Sequence, residues 1–481
     1  MFSDIEKKIL FLQTKKNTIM KNNLLVLCAM ILAVRGIALG QPQVVEIPGL
    51  QADYSIVRYW QDDFSVAYSW DAGGTNCFIL IEHNSPIVKR IDIPAGVKVN
   101  DFRIMHDSVY LGGHVVVSGR NRGLLACFSL ADVISGSGNF NYMVTDYSRL
   151  TDFVGTPAPQ NLVTDVKRIA VYEHYGRVNV AYIADNYVNC DPVRVGYGWA
   201  AFDMTTNCWN SHLMYNKHGS EVYTDIITTD NHVVAVGKVV ATQKLVMRAY
   251  KQTDYTYPTY DPSGLMYLYP MVGQYMLDAK MISPGVATAT TGEGFAVAYN
   301  YRANAVDSGF TVRTFTASGA TVSVDDVFLS SAPVNAGRLW RMREACYTPL
   351  TNNIMVLNDY ECPSSGMLES YVFHLTYPLT SNSFTGQFIP FEELHSIAPT
   401  PWSNGGFEFS GRNGASALFS YGFGQLGNYG SCYTRDDFWG EYQIRRTSDD
   451  MMPTNTIPID HIDGISPFTV QTEKITILCE N

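Results

Sequence analysis

Charge is scarce in this 481-residue chain: 16% of its residues are Asp, Glu, Lys or Arg, and 34 basic against 45 acidic side chains leave a net of −11. Residues 1–40 hold six basic and two acidic side chains, so the remainder stands at −15. A surface that tracks a phosphate backbone needs clustered Lys and Arg, so this balance excludes nucleic acid as a partner. Beyond residue 40 no stretch approaches eighteen apolar residues, and no helical membrane span is expected there. Among nine cysteines and ten histidines there is no CxxC pair, no HExxH and no close Cys/His set, so no metal is expected. P-loop and G-x-S-x-G patterns are also missing. Residues 422–427 spell G-x-G-x-x-G without a following helical pattern, which reads as a glycine-rich loop. No cofactor is implied.

What is present begins with a leader. Residues 24–34 are eleven apolar residues behind Lys21, followed by small residues and by Ala38-Leu39-Gly40 before Gln41. Eleven residues rise about 16 Å as a helix, half a hydrocarbon core, so the pattern is that of a cleaved signal peptide over 1–40, with Met20 an alternative start. The competing reading is an uncleaved anchor. An exported chain of residues 41–481 is the consequence, located in the medium, periplasm or cell surface. It keeps eight cysteines, which allow 105 disulfide connectivities; Cys190–Cys208 and Cys346–Cys362 are the local pairs to test first.

From residue 50 onward the long 3.6-residue periodicities of helices are lacking. Short runs of Val, Ile, Tyr, Phe and Thr alternate with Gly, Asn, Asp and Pro, the pattern of an all-β chain. One block returns, at 52–82, 100–130, 164–204, 224–250 and 277–315, and two further units are readable at 337–390 and 396–460. Each of the first five opens on an aspartate (Asp53, Asp101, Asp165, Asp225, Asp278), at separations of 48, 64, 60 and 53 residues. A four-stranded unit of that length resembles a β-propeller blade. The expectation is one seven-bladed propeller over 41–481, with eight blades or two β-sandwich domains as alternatives. The β-rich ends, Val44–Ile47 and Lys474–Leu478, are available to close the ring.

The chain thus resembles secreted β-propellers in architecture. Ser69-Trp70-Asp71-Ala72-Gly73-Gly74-Thr75-Asn76 is similar to the Asp box of sialidase-like propellers in all but its last position, and Asp307-Ser308-Gly309-Phe310-Thr311 matches its centre. Phe102-Arg103-Ile104-Met105 resembles the sialidase FRIP motif. Two departures separate the chain from that family. These boxes fall between second and third strands rather than third and fourth, and the FRIP-like segment follows the first box instead of preceding it. A tight turn accounts for D-x-G equally well.

The repeated aspartates, with Arg338 in the corresponding place of the sixth unit, are the first ligand-binding candidates. At one mouth of a central channel they could meet a cation or sugar hydroxyls, or supply an acid–base pair; alternatively each caps its own turn. The second candidate is an aromatic surface, Tyr255, Tyr257 and Tyr260 in the tyrosine-rich stretch 250–275, suited to sugar stacking or protein contact, with an ordinary outer strand as the plain alternative. The seven Trp residues are expected to pack between blades, and the acidic doublets, Glu392-Glu393 among them, to lie in solvated turns. The leading functional expectation is an exported binding or interaction module with a protein or glycan partner. A glycan hydrolase or lyase and a structural envelope component are the alternatives.

Overall fold

The computed structural model describes residues 43–480 except 62–63, 84, 146–161, 175, 189–190, 204–207, 217–220, 230, 240–243, 252–264, 269–274, 283–292, 303–307, 319–320, 330–338, 349–352, 362–367, 377–383, 390–392, 401–406, 422–454 and 459–460. Among the described residues the strands form seven antiparallel sheets. Blade 1 runs from Tyr54–Gln61 to Ile87–Asp92, blade 2 from Val97–Met105 to Ser137–Thr145, and blade 3 from Leu162–His174 to Cys208–Asn216. Blade 4 runs from Glu221–Thr228 to Leu265–Leu268, blade 5 from Tyr275–Ile282 to Thr321–Leu329, and blade 6 from Leu339–Thr348 to Phe384–Ile389. Blade 7 comprises Glu393–Pro399, Phe407–Asn413 and Ser416–Tyr421, completed by the N-terminal strand Gln43–Gln51. The first strands of successive blades abut in a closed cycle around the axis, which is the arrangement of a β-propeller.

Blades are covered on both faces by their neighbours, so their middle strands are apolar without alternation. Val233, Val234, Ala235 and Val236 are all at 0% exposure. Between blades 1 and 2 the core is aromatic: Phe78 packs at 5.2 Å from Phe102 and 5.1 Å from Phe128, and Phe128 at 5.2 Å from Phe140.

Both chain ends close the ring, as their β-rich composition suggested. Val44 pairs with Ser420 on one side and Cys479 on the other, so the N-terminal strand sits between the third strand of blade 7 and the last strand of the chain. The final segment does more than latch. Asn455–Pro458 adds to the outer edge of blade 3, His461–Thr469 to blade 2, Gln471–Lys474 to blade 1 and Thr476–Glu480 to blade 7. This strap crosses four consecutive blades and sends Phe468 into the aromatic core, 4.9 Å from Phe140. Residues 455–458 therefore leave the seventh unit, to which the repeat pattern assigns them, because backbone pairing at an open sheet edge does not require proximity in sequence.

Six of the seven innermost strands carry a register shift at the same depth. It falls at Val99/Asp101, Val163/Asp165, Tyr223/Asp225, Met276/Ala279, Met342/Glu344 and Leu394/Ser396. A bulge brings the two backbones close, and in three blades glycine stands opposite it. A Cβ on Gly113 would lie 1.9 Å from the Lys98 carbonyl oxygen, and one on Gly237 or Gly411 would lie 2.2 Å from Val222 or Glu393. Gly113→Ala is expected to lower the stability of the folded chain by about 1 to 3 kcal/mol, because backbone must move to admit the methyl group. Chemical denaturation checks this, and an unchanged midpoint contradicts the close approach.

Candidate functional site

The bulges aim charged side chains at the axis. Asp101, at 0% exposure, stands at the centre. Its Oδ1 accepts from Arg58 Nη2 at 3.2 Å and from the Phe102 N–H at 2.9 Å; its Oδ2 accepts from the Ile169 N–H at 3.1 Å and lies 3.3 Å from Arg103. Arg168 approaches Oδ1 at 3.9 Å. Arg58 also reaches Glu344 at 3.4 Å. Burial alone would raise the Asp101 pKa, but Arg103, Arg168 and Arg58 outweigh it and hold the carboxyl below the ordinary value. Arginines from blades 1, 2 and 3 thus converge on one carboxylate, with a glutamate of blade 6 alongside.

This cluster lies between two cavities. One, of about 500 Å³, opens where the innermost strands end and is lined by Arg58, Arg103 and Glu344 together with aliphatic residues such as Ile226 and Ile397. The other, of about 560 Å³, opens where those strands begin. Its wall holds four cations, Lys98, Lys167, Arg168 and Arg343, against two carboxylates, Asp53 and Glu344, with Tyr54, Trp70 and His395 between them. Lys167 is paired with Asp165 and with Asp185 at 2.9 Å; Arg343 is paired with Asp359 and Glu393. The Lys98 ammonium rests 3.9 Å from the centre of the Trp70 ring. Tyr54 donates to the Asn100 carbonyl at 2.7 Å, and burial, opposed by Arg168, pushes its phenol up to about 12, so it stays a neutral donor at physiological pH.

The aspartate ring expected at the mouth takes another form. Asp101, Asp165 and Asp225 share one register position in blades 2, 3 and 4, and all three are buried. Asp165 Oδ1 accepts from Asn100 at 2.6 Å and from His114 at 2.9 Å, while Oδ2 faces Lys167. Asp225 Oδ1 accepts from the Ile226 N–H at 3.0 Å. Asp53 belongs to a different place: it precedes its strand, is exposed, and caps a turn by accepting from the Ala72 N–H at 2.9 Å. Blade 1 has its irregularity at the far end of the inner strand, Tyr59/Gln61, so its aspartate does not align with the others. In blade 6 the equivalent residue is Glu344 rather than Arg338. Arg338, Tyr255, Tyr257, Tyr260, the leader over 1–40 and the glycine-rich 422–427 lie outside the described residues, as does the Asp278 side chain.

Other expectations are corrected in detail. Glu393 is buried rather than solvated; burial alone would raise its pKa, but His395, Arg343 and Arg412 overcome that and hold it at about 2. Trp209 packs in the core against Phe202 at 5.2 Å, and Trp60 and Trp70 pack against the core between blades 1 and 2, as expected of the tryptophans; Trp70 also lines the mouth. Cys346 is a free thiol whose pKa burial raises, so it is not bridged to Cys362, which lies outside the described residues; Cys77 and Cys127 are free thiols too. The Asp-box-like turn does join the second and third strands of blade 1, and Asp71 Oδ1 accepts from the Thr75 N–H at 3.2 Å. One arrangement had no local signal in the sequence: Ser65, His83 and Glu408 come together at 2.6 to 3.2 Å. Ser65 and Glu408 are at 0% exposure, sealed between blades 1 and 7, so this set is a polar joint with no approach for a substrate.

No family model and no curated protein matches the chain. Solved structures do. The Dos1 propeller is similar over 80% of this chain and 96% of its own, at 9% identity and a TM-score of 0.45. The GH32 β-fructofuranosidase BmSUC1 of Bombyx mori is similar over 91% and 94%, at 10% identity and a TM-score of 0.31. The Nup133 β-propeller domain of Vanderwaltozyma polyspora is similar over 77% and 100%, at 7% identity and a TM-score of 0.28.

The site's energetics separate its acids. Asp101→Ala leaves three arginines facing an empty centre and is expected to cost about 3 to 5 kcal/mol of stability, the range for removing one partner of a buried ion pair. Asp53→Ala, at an exposed turn, is expected to change stability little. Parallel thermal melts check the contrast, and equal effects would contradict it.

Proposed function

We propose that this chain is an exported β-propeller binding module whose ligand sits in the mouth where the innermost strands begin. The observation that carries the reading is the cup itself. A cavity of about 560 Å³ combines cationic, aromatic and hydroxyl-bearing walls, and Arg168 and Glu344 of the Asp101 cluster are part of its lining. Ligand pockets typically have this size and this mixture of apolar surface with a few convergent polar groups. Of the aspartates from which a glycan-cleaving reading draws its acid and base (Asp53, Asp101, Asp165, Asp225 and Asp278), Asp101 and Asp165 are already engaged by arginine, lysine, histidine and backbone N–H groups, and Asp53 and Asp225 accept backbone N–H groups. The leader pattern over 1–40 supports export. Glycans and small metabolites, screened by thermal shift on the exported chain, are expected to include a ligand that binds saturably without turnover. Thr224→Trp, which fills the mouth from blade 4, is expected to abolish that binding. Turnover of the ligand, or binding undiminished by Thr224→Trp, overturns the reading.

A further inference from the structure

The chemistry of the mouth is unlike that of the chain around it. On a protein of net charge −11, this one concavity is lined by twice as many cations as carboxylates. Most of that positive charge is met by carboxylates just behind the wall, so what an entering ligand meets depends on which cation keeps an open side. Its cations are not equivalent. Lys167 has Asp165 and Asp185, and Arg343 has Asp359 and Glu393. Arg168 has a distant contact with Asp101. Lys98 has no ion pair among the described residues; its ammonium lies against the face of Trp70. The ring covers one side of the ammonium and removes water from it, and the remaining N–H donors are left for something that enters. The mouth's own exposed acid, Asp53, accepts from the Ala72 N–H and acts on Lys98 through its charge without a direct ion pair among the described residues.

We propose that the mouth takes an organic anion, with a carboxylate on Lys98 and a hydroxylated carbon skeleton along Trp70 and Tyr54. The inference rests on the binding reading above and names its ligand class. A carboxylate supplies the charge that Lys98 lacks, and in a partly dehydrated site a charge-assisted hydrogen bond is stronger than in water. The aromatic wall asks for more than an inorganic ion, since Tyr54 and Trp70 add apolar ring surface to the lining that phosphate cannot use. Burial lowers the Lys98 pKa, with Asp165 opposing, and an anion at its open side works in the same direction as Asp165.

The ligand is then either a free hydroxy acid or the acidic unit of a polymer, and the two share this chemistry. Titration calorimetry of the exported chain with glucuronate, an oligogalacturonate, glucose and inorganic phosphate tests the inference. Uronate binding is expected at millimolar or lower concentration, with glucose and phosphate at least about tenfold weaker, a difference of about 1.4 kcal/mol. Lys98→Met is expected to weaken uronate binding by about tenfold or more, while Lys98→Arg stays within a factor of about three, since either cation can meet a single carboxylate. A tighter oligomer assigns the site to a polymer, and equal affinities assign it to the free acid. Equal binding of glucose, equal binding of phosphate, silence of both uronates, or indifference to Lys98→Met overturns the inference. A neutral ligand that Thr224→Trp displaces would remove the anion inference and leave the binding reading intact. Uronate binding unaffected by Thr224→Trp would remove the reading itself.

Discussion

A single buried carboxylate organises the axis of this propeller. Asp101 has no exposure, and side chains from three blades are directed at it: Arg58, Arg103 and Arg168. A charge taken out of water is costly unless it is paired and hydrogen-bonded, and here both oxygens also accept backbone N–H groups, from Phe102 and Ile169. The cluster therefore ties inner strands together at the point where a ring of blades would otherwise leave a pore. It also divides the axis into two cups of different character, one largely aliphatic and one cationic and aromatic. The position of this ion cluster decides the ligand chemistry open to each mouth.

The cluster depends in turn on backbone geometry. A bulge in an inner strand places two residues against one on its neighbour and re-aims the side chains beyond it. In blade 2 that shift, admitted by Gly113, sets Lys98 and Asn100 on the mouth while Asp101 meets its arginines deeper in the channel. Because the same shift recurs in blades 2, 3, 4, 6 and 7 with Asp101, Asp165, Asp225, Glu344 and Ser396 beyond it, the axis receives a layer of charged and polar residues, and the opening above it is shaped by the residues just before the shift. Around the outside, the terminal strap and the N-terminal strand close the ring by pairing with each other, so the geometry at the axis is enclosed by continuous hydrogen bonding at blade 7.

Much of this architecture was legible because blades repeat. The units read at 52–82, 100–130, 164–204, 224–250, 277–315 and 337–390 fall within blades 1 to 6, and three of the five recurring aspartates do occupy one structural register. Alignment by residue type misled. Asp53 shares the letter but not the position, and Glu344 shares the position but not the letter. The arginines were invisible for a physical reason: a charged residue in a strand reads as a solvated face unless its partner is known, and apart from Arg103, two residues from Asp101, these arginines have partners well away in sequence. Arg58 and Glu344 are 286 residues apart, and Arg343 and Glu393 are 50 apart. The strap escaped for a similar reason. Its strands are short and largely polar, and they take their order from the sheet edges they cover rather than from a repeat of their own.

The ionisation of Asp101 tests the central claim most directly. Selective carbonyl labelling of aspartate, with Asp101→Asn to assign the signal, lets its carboxyl be titrated in the folded chain by carbon-13 NMR. Since the folded pKa is depressed, the stability that Asp101 contributes is complete at neutral pH and is lost only as pH falls through that depressed value. Asp101 is expected to remain ionised at pH 3.8, where an unperturbed aspartate is half protonated. A midpoint at or above 3.8 would mean that the arginines do not hold the carboxylate, and the closed axis with its two separate mouths would lose its foundation.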